Sequence, residues 1–212
     1  MVKVMTLNEL FILLTTAQTV EEIDDRKDEI SELIPQVKRM FAYNQHNDTH
    51  PHTLWMHCVQ TVINLPKGID DAMLYLAALL HDIGKPDCQV KGTREGDVNM
   101  HYYGHPIRSM EIVRDTIIPQ LRENGYFLSE DDKRRLLYYV EYHDDRVSLR
   151  LKHLRRHLKM ASLEEFQKLM QLEVADAKAH VLRPTIISRL EICEQLAGEY
   201  SVELYERIMN GE

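Results

Sequence analysis

Residues 74–80 read Leu-Tyr-Leu-Ala-Ala-Leu-Leu, seven apolar or aromatic side chains in a row. They run straight into His81 and Asp82, and Gly84, Lys85 and Pro86 then stop the element. A segment that is apolar all round has no face to offer water, so it must be buried on every side. It marks the centre of whatever fold this chain adopts, and it carries an imidazole and a carboxylate into that centre. Buried ionisable groups are costly unless they are paired or bind a metal. Something in the fold must therefore satisfy His81 and Asp82.

The remaining pattern is helical nearly throughout. Hydroxyl and acid residues three apart, at Thr6/Glu9, Thr19/Glu22, Ser129/Asp132 and Ser162/Glu165, predict capping boxes that open four helices. After Thr6, the residues Leu7, Leu10, Phe11 and Leu14 keep the spacing of one apolar helix face, and Ile30, Leu33 and Ile34 close a second helix before Pro35. A short segment over 36–43 leads into a polar loop. Helices are expected at 53–64, 70–82, 105–122, 130–142, 150–159, 162–179 and 184–209, with Pro184 in a first turn. Residues 84–104 are rich in turn formers and lack helical periodicity, which predicts a long loop with a small hairpin around Gly92 to Gly96. Loops of that length inside a compact domain are usually functional. No repeat, low-complexity tract or linker appears, so a single all-α domain over 1–212 is expected.

The net charge of -8 argues against broad nucleic-acid binding, while leaving a local basic patch open. Three cysteines without paired spacing suit a reducing cytosol and disfavour a disulfide scaffold or a thiolate zinc site. The first 18 residues do not resemble a signal peptide, and no apolar run reaches membrane-spanning length. A soluble, cytoplasmic chain is the expectation.

Eleven histidines accompany a single tryptophan. His57 shares a helical face with Leu54 and Thr61, His101 and His105 flank Tyr102-Tyr103-Gly104, and His143-Asp144 end a second apolar helix. Asp176 lies on the stripe of Leu169, Leu172 and Val174 to within a turn. Any one of these, taken singly, reads as an ordinary surface or core residue. His46, His50, His52, His153 and His157 keep that plain reading, as loop or solvated helix positions. His153 and His157 have the four-residue spacing of a metal pair, but Lys152, Arg155, Arg156 and Lys159 surround them. Such a face suits an anionic substrate better than a divalent ion. The combination of two apolar helices ending in His-Asp is harder to set aside, because a helix C-terminus favours a bound cation. Imidazole and carboxylate without thiolate suit Mn, Fe, Co, Ni or Zn, with Mg admitted at a carboxylate-rich position.

In that order, His57, His81-Asp82, His105, His143 and Asp176 resemble the HD superfamily of metal-dependent phosphohydrolases. The stretches NQHNDTHPHTLWMHCVQTV, LAALLHDIGKP, HYYGHPIRS, VEYHDDR and EVADAKAH are most similar to the HD domain of bacterial tRNA nucleotidyltransferases and its stand-alone relatives. The resemblance covers about residues 41–183, with helices in 1–40 and 184–210 expected to pack on that core. No Gly-Ser pair followed by Asp-x-Asp marks a nucleotidyltransferase domain, so an HD domain standing alone is expected. The resemblance implies two divalent ions: His57, His81, Asp82 and Asp176 at one, His105 and His143 at the other, and Asp82 bridging. It places Lys85 toward a phosphate and His101 as a substrate contact or a support for the ligands. For a phosphate-binding arginine, Arg108 is preferred over Arg94 and Arg146. Asp144 is assigned either to orient an imidazole or to protonate the leaving oxygen. The implied activity is hydrolysis of a nucleotide or another small phosphate ester, mono- or diester, with an RNA end among the partners and no membrane. Two alternatives stay open: a di-iron oxygenase on the same ligands, and a nucleotide-binding regulatory module.

Overall fold

In the computed structural model, which describes residues 5–94 and 96–212, the apolar run becomes helix α5, Ala72–Leu80, and Leu74 to Leu80 are each 0% exposed. Its first turn is fixed by Asp71, whose Oδ1 accepts from the Met73 amide at 3.2 Å. The same buried carboxylate takes Arg135 at 2.7 Å and the Tyr139 hydroxyl at 3.0 Å, which pins α5 to the helix that packs against it, α9, Glu130–Tyr142. The other neighbours of α5 are α1, Leu7–Thr16, α4, Leu54–Asn64, and α11, Leu163–Lys178. One cluster of buried apolar side chains extends from Met5 to Leu204.

Three of the four expected capping boxes form, at Thr6, Ser129 and Ser162. The fourth does not: Thr19 makes no side-chain cap on α2, Val20–Asp24, and Glu22 reaches past it to the amide of Gln18 at 3.2 Å. Helix α3, Lys27–Leu33, stops before Pro35, which opens a 3-10 turn over Pro35–Met40.

The 84–104 segment is more structured than a loop. It begins with a short helix, α6, Lys85–Cys88. A hairpin follows, in which β1, Val90–Lys91, pairs antiparallel with β2, Met100–His101, and Val90 lies opposite His101. The expected helix over 105–122 is interrupted. Helix α7, His105–Ile112, widens through a π turn at Val113–Ile117 into α8, Ile118–Glu123. Pro119 has no amide to give to the ladder, and the wider turn accommodates its ring. Helix α10 covers Leu151–His157. The last expected helix is two: α12, Pro184–Ala197, ends where Gly198 leaves the helical range at φ -113, ψ -149, and α13, Glu199–Met209, begins. The freed Gly198 carbonyl accepts from Ser201 Oγ at 2.8 Å and Gln167 Nε2 at 3.3 Å, so the break costs no buried carbonyl.

Two glycines bring α7 onto the end of α5. A Cβ on Gly84 would lie 2.6 Å from the Ser109 amide nitrogen, and the Gly84 amide instead donates to Ser109 Oγ at 2.9 Å. Gly104, at φ 78, turns the chain so that α7 starts at His105. No helix of the described residues is long and apolar enough to cross a membrane.

Candidate metal centre

Five helices bring their ionisable residues to one point. His57 comes from the first turn of α4, His81 and Asp82 from the end of α5, His105 from the start of α7, His143 from the end of α9 and Asp176 from the last turn of α11. All six are buried. Asp82 stands in the middle. Its Oδ2 faces His57 Nε2 at 3.3 Å and His81 Nε2 at 3.2 Å, and its Oδ1 faces His105 Nε2 at 3.0 Å and His143 Nε2 at 3.5 Å. Asp176 Oδ1 closes the first pair, 3.0 Å from His57 and 3.5 Å from His81.

Backbone carbonyls set the ring orientations. Nδ1 of His81, His105 and His143 donates to the carbonyls of Ala78, Tyr102 and Val140, each at 2.8 Å. A carbonyl can only accept, so each neutral ring carries its proton on Nδ1 and aims the Nε2 lone pair inward. The His105 and His143 lone pairs then face each other across 3.2 Å, beside a carboxylate. His57 Nε2, His81 Nε2, Asp82 Oδ1 and Asp176 Oδ1 are buried without any hydrogen-bond partner. Electron pairs converging in this way lack only a cation, and the set fits a divalent metal. His57, His81 and Asp176 form one group, and Asp82, His105 and His143 another, each with ligand atoms within 4.8 Å of one another.

Burial would raise the Asp82 carboxyl, but Lys85 and His81 outweigh it and hold it well below the usual range. Burial likewise opposes ionisation of Asp176, which His180 and His57 hold down. At His81 burial acts downward, and Asp82 overcomes it and draws the ring upward. A proton and a metal ion thus compete for the same lone pair.

The centre opens into a cleft of about 450 Å³. Lys85 lines it but is tied down: Nζ sits 2.6 Å from Asp82 Oδ2 and 2.9 Å from Gln45 Oε1, over the Tyr102 ring. His101 also lines it, held by Asp97 at 2.7 Å and stacked on Tyr103. Asp144 is on the cleft wall, but its partner is Arg189 at 2.5 Å and not an imidazole; the His143 ring is already oriented by Val140.

Arg108 does not reach the cleft. Asp87 takes its Nε at 2.8 Å and Glu111 its NH1 at 3.2 Å, and these carboxylates hold the guanidinium on the outer side of α7. Arg94 and Arg146 also lie outside the cleft lining. The arginine that lines it is Arg189 of α12, which the sequence did not signal. It donates to the His143 carbonyl at 2.9 Å and to buried Glu173 at 3.0 Å, whose carboxyl burial raises to about 8 even with Arg189 beside it.

His50, read as a plain loop residue, stands on the cleft with His180; their ring centroids are 4.3 Å apart and 5.1 and 4.9 Å from His57. Burial lowers both rings and keeps them neutral at pH 7. His153 and His157 are not on a solvated face either. They are buried on the inner side of α10, against Phe166, with Nδ1 on the Ser148 carbonyl and the Tyr138 hydroxyl. His46 and His52 are exposed, as expected of a polar loop.

The HD domain family model matches residues 48–203, and the chain belongs to that family. Membership places it in the superfamily of metal-dependent phosphohydrolases, and the His/Asp cluster fits the divalent metal such domains bind. The match runs further than the sequence motifs, through α12 and into α13. Two curated relatives are each called "Multifunctional CCA protein", from Actinobacillus pleuropneumoniae serotype 5b (strain L20) and serotype 7 (strain AP76). Each is 30% identical over 118 residues, covering 52% of this chain and 25% of its own length. The chain thus spans about 25% of the length of these relatives.

Proposed function

We propose that this protein hydrolyses a phosphate ester carried by a nucleotide or a related small phosphate. The observation that supports this most is Asp82, which offers one carboxylate oxygen to each of two imidazole pairs. In this reading His57, His81, Asp82 and Asp176 hold one divalent ion, and His105 and His143 hold a second with Asp82 between them. Such ions supply Lewis acidity at phosphoryl oxygens and make a water nucleophilic near neutral pH.

The chain's own residues do the rest. Lys85 and Arg189 place two positive charges on the cleft, where charge gathering on phosphoryl oxygens needs them. Both are held before substrate arrives, Lys85 by Asp82 and Gln45, and Arg189 by Glu173 and Asp144, so little reorganisation is needed. Asp144 therefore acts by positioning Arg189. His101, outside the ligand set and still on the cleft wall, is the side chain assigned to meet the leaving group. The neutral rings of His50 and His180 close the wall behind His57.

The test is anaerobic turnover by metal-stripped protein reloaded separately with Mn, Ni, Co, Zn or Mg. Substrates are p-nitrophenyl phosphate, its bis ester and 2′,3′-cyclic nucleotides. Metal-dependent release of product without O₂ is expected. A strict need for O₂, or no hydrolysis with any metal, would overturn the assignment.

A further inference from the structure

Six of the chain's 26 lysines and arginines fall within residues 146–159, a stretch with no Asp or Glu, on a chain whose net charge is -8. All six, Arg146, Arg150, Lys152, Arg155, Arg156 and Lys159, are exposed, and together they line a groove of about 640 Å³. Arg156 is paired with Asp145. The other five have no acidic side chain in ion-pair range among the described residues. Surface cations elsewhere on this protein are largely neutralised, as Arg108 is by Asp87 and Glu111 and Arg183 is by Asp48. A concentrated, uncompensated patch on an otherwise acidic molecule has an electrostatic cost, which an anionic partner removes.

We infer that this groove binds the phosphodiester backbone of a nucleic-acid strand. Lys152, Arg155, Arg156 and Lys159 have the spacing of one helix face, and at about 1.5 Å per residue they extend over about 10 Å. That is the reach of two to three successive phosphates at about 3.4 Å of rise each. A single phosphate would use one or two of the six cations. A bilayer needs a flat face, and this one is concave. Four of the six are arginines, whose planar fork suits phosphate oxygens. The surface contacts sequence-independent atoms only, so it positions a strand without reading its bases.

The groove also lies beside the candidate active site. His143 and Asp144 line the cleft and Arg146, two residues on, lines the groove, so the turn after α9 separates the two. A strand held on α10 has its end next to the metal centre. That an end is the group cleaved rests on the hydrolytic reading above; the binding itself does not.

Fluorescence anisotropy with labelled 12-nucleotide single-stranded RNA and DNA of mixed sequence tests this on the full chain. Three proteins are compared: wild type, Lys152→Glu/Arg155→Glu/Lys159→Glu, and a control of equal charge, Lys38→Glu/Arg122→Glu/Arg207→Glu. Wild type should bind a strand with a log–log salt slope of about -1.4 to -2.1, at about -0.7 per phosphate neutralised for two to three phosphates. The groove variant should lose at least tenfold in affinity and keep its turnover of p-nitrophenyl esters, while the control stays within threefold. The inference fails if neither strand binds at about 50 mM salt, if the control loses as much as the groove variant, or if polyglutamate or phosphatidylserine vesicles displace the strand as well as unlabelled strand does. Strand binding without cleavage of a terminal phosphate would sink the hydrolytic reading and leave the groove standing. Small-ester hydrolysis without strand binding would do the reverse.

Discussion

Two clusters of histidine and aspartate, one around buried Asp82 and one around half-buried Asp145, are built from the same parts. In both, the imidazole Nδ1 is committed at every ring but His57: to backbone carbonyls at His81, His105 and His143, and to the Ser148 carbonyl and the Tyr138 hydroxyl at His153 and His157. In both, Nε2 faces a carboxylate, Asp82 or Asp176 in one case and Asp145 in the other. The difference is the cation. Arg156 of α10 lies on Asp145 and 3.3 Å from His157 Nε2, leaving only His153 Nε2 of that cluster without a partner. Around Asp82 the one nearby protein cation, Lys85, meets a single carboxylate oxygen, and four converging atoms have no partner. Residue type and spacing make a cluster that could hold a metal; whether a side chain already saturates its lone pairs separates a metal centre from a structural anchor.

Aspartate removal should break the comparison open with the largest effect. Asp82→Ala should abolish bound metal, measured by elemental analysis, and lower turnover by about 10² or more, because the ion it would hold supplies the reactive water. Asp145→Ala should leave metal content unchanged and cost about 1 kcal/mol or less in denaturant unfolding, because the donor that loses its acceptor, Arg156, is exposed. Equal metal loss in both variants would mean that the two clusters are not distinct in kind.

Arg189 sharpens the comparison from the other side, since it is the cation that stands beside the metal centre and not inside it. Arg189→Ala should retain metal but reduce kcat/KM on a phosphate ester by about 10², the scale of one charged transition-state donor. Arg189→Lys should recover part of that loss. Metal loss in the alanine variant would instead make Arg189 a structural support of the His143 turn, whose carbonyl it holds at 2.9 Å.

The contrast in what was legible has a physical origin. His57, His81, Asp82, His105, His143 and Asp176, which the structure brings together, each interrupt an apolar helix face or sit at its end, and a polar group there leaves a trace in local sequence. Arg189 leaves none. Its role depends on Glu173, 16 positions earlier, and on the way α12 packs against α11, which only the tertiary structure supplies. Arg108 misled for the same reason: sequence proximity to His105 carries no information about Asp87, which captures it from α6. On α10 the cationic neighbours obscured a simpler pattern. Residues 153, 154 and 157 turn inward while 152, 155 and 156 turn out, with 159 exposed in the turn that follows, so the buried histidines and most of the basic groove are two faces of one helix. Helix existence was readable from caps and periodicity; the breaks at Pro119 and Gly198 depended on what the freed backbone groups could find nearby.

Acid should separate the clusters further. His153 and His157 are lowered to about 4, both by burial first, and then His153 by His157 and His157 by Arg156. Both are bases whose folded value lies below the ordinary 6.5, so the fold excludes their protons. Their contribution to stability is present in full above about 6.5 and is lost as pH falls toward 4. Thermal unfolding should therefore show a decline over that window which His157→Gln partly removes. A decline of unchanged size in His157→Gln would assign it to other groups.

The smallest effect, and the most direct on the comparison itself, concerns Arg156. If saturation by a side-chain cation is what keeps the α10 cluster from being a metal site, then Arg156→Ala should leave Asp145, His153 and His157 as three converging ligands, with atoms within 4.8 Å of one another. The neighbouring lysines and arginines still oppose a divalent ion, so any affinity gained should be weak. Isothermal titration with Zn²⁺ or Ni²⁺ in an Asp82→Ala background, which empties the other centre, isolates the gain. A weak additional equivalent, absent from Asp82→Ala alone and abolished by adding His157→Ala, supports saturation as the deciding factor. No binding in the Arg156→Ala background would mean that the surrounding positive potential, and not the one guanidinium, keeps metal out of α10.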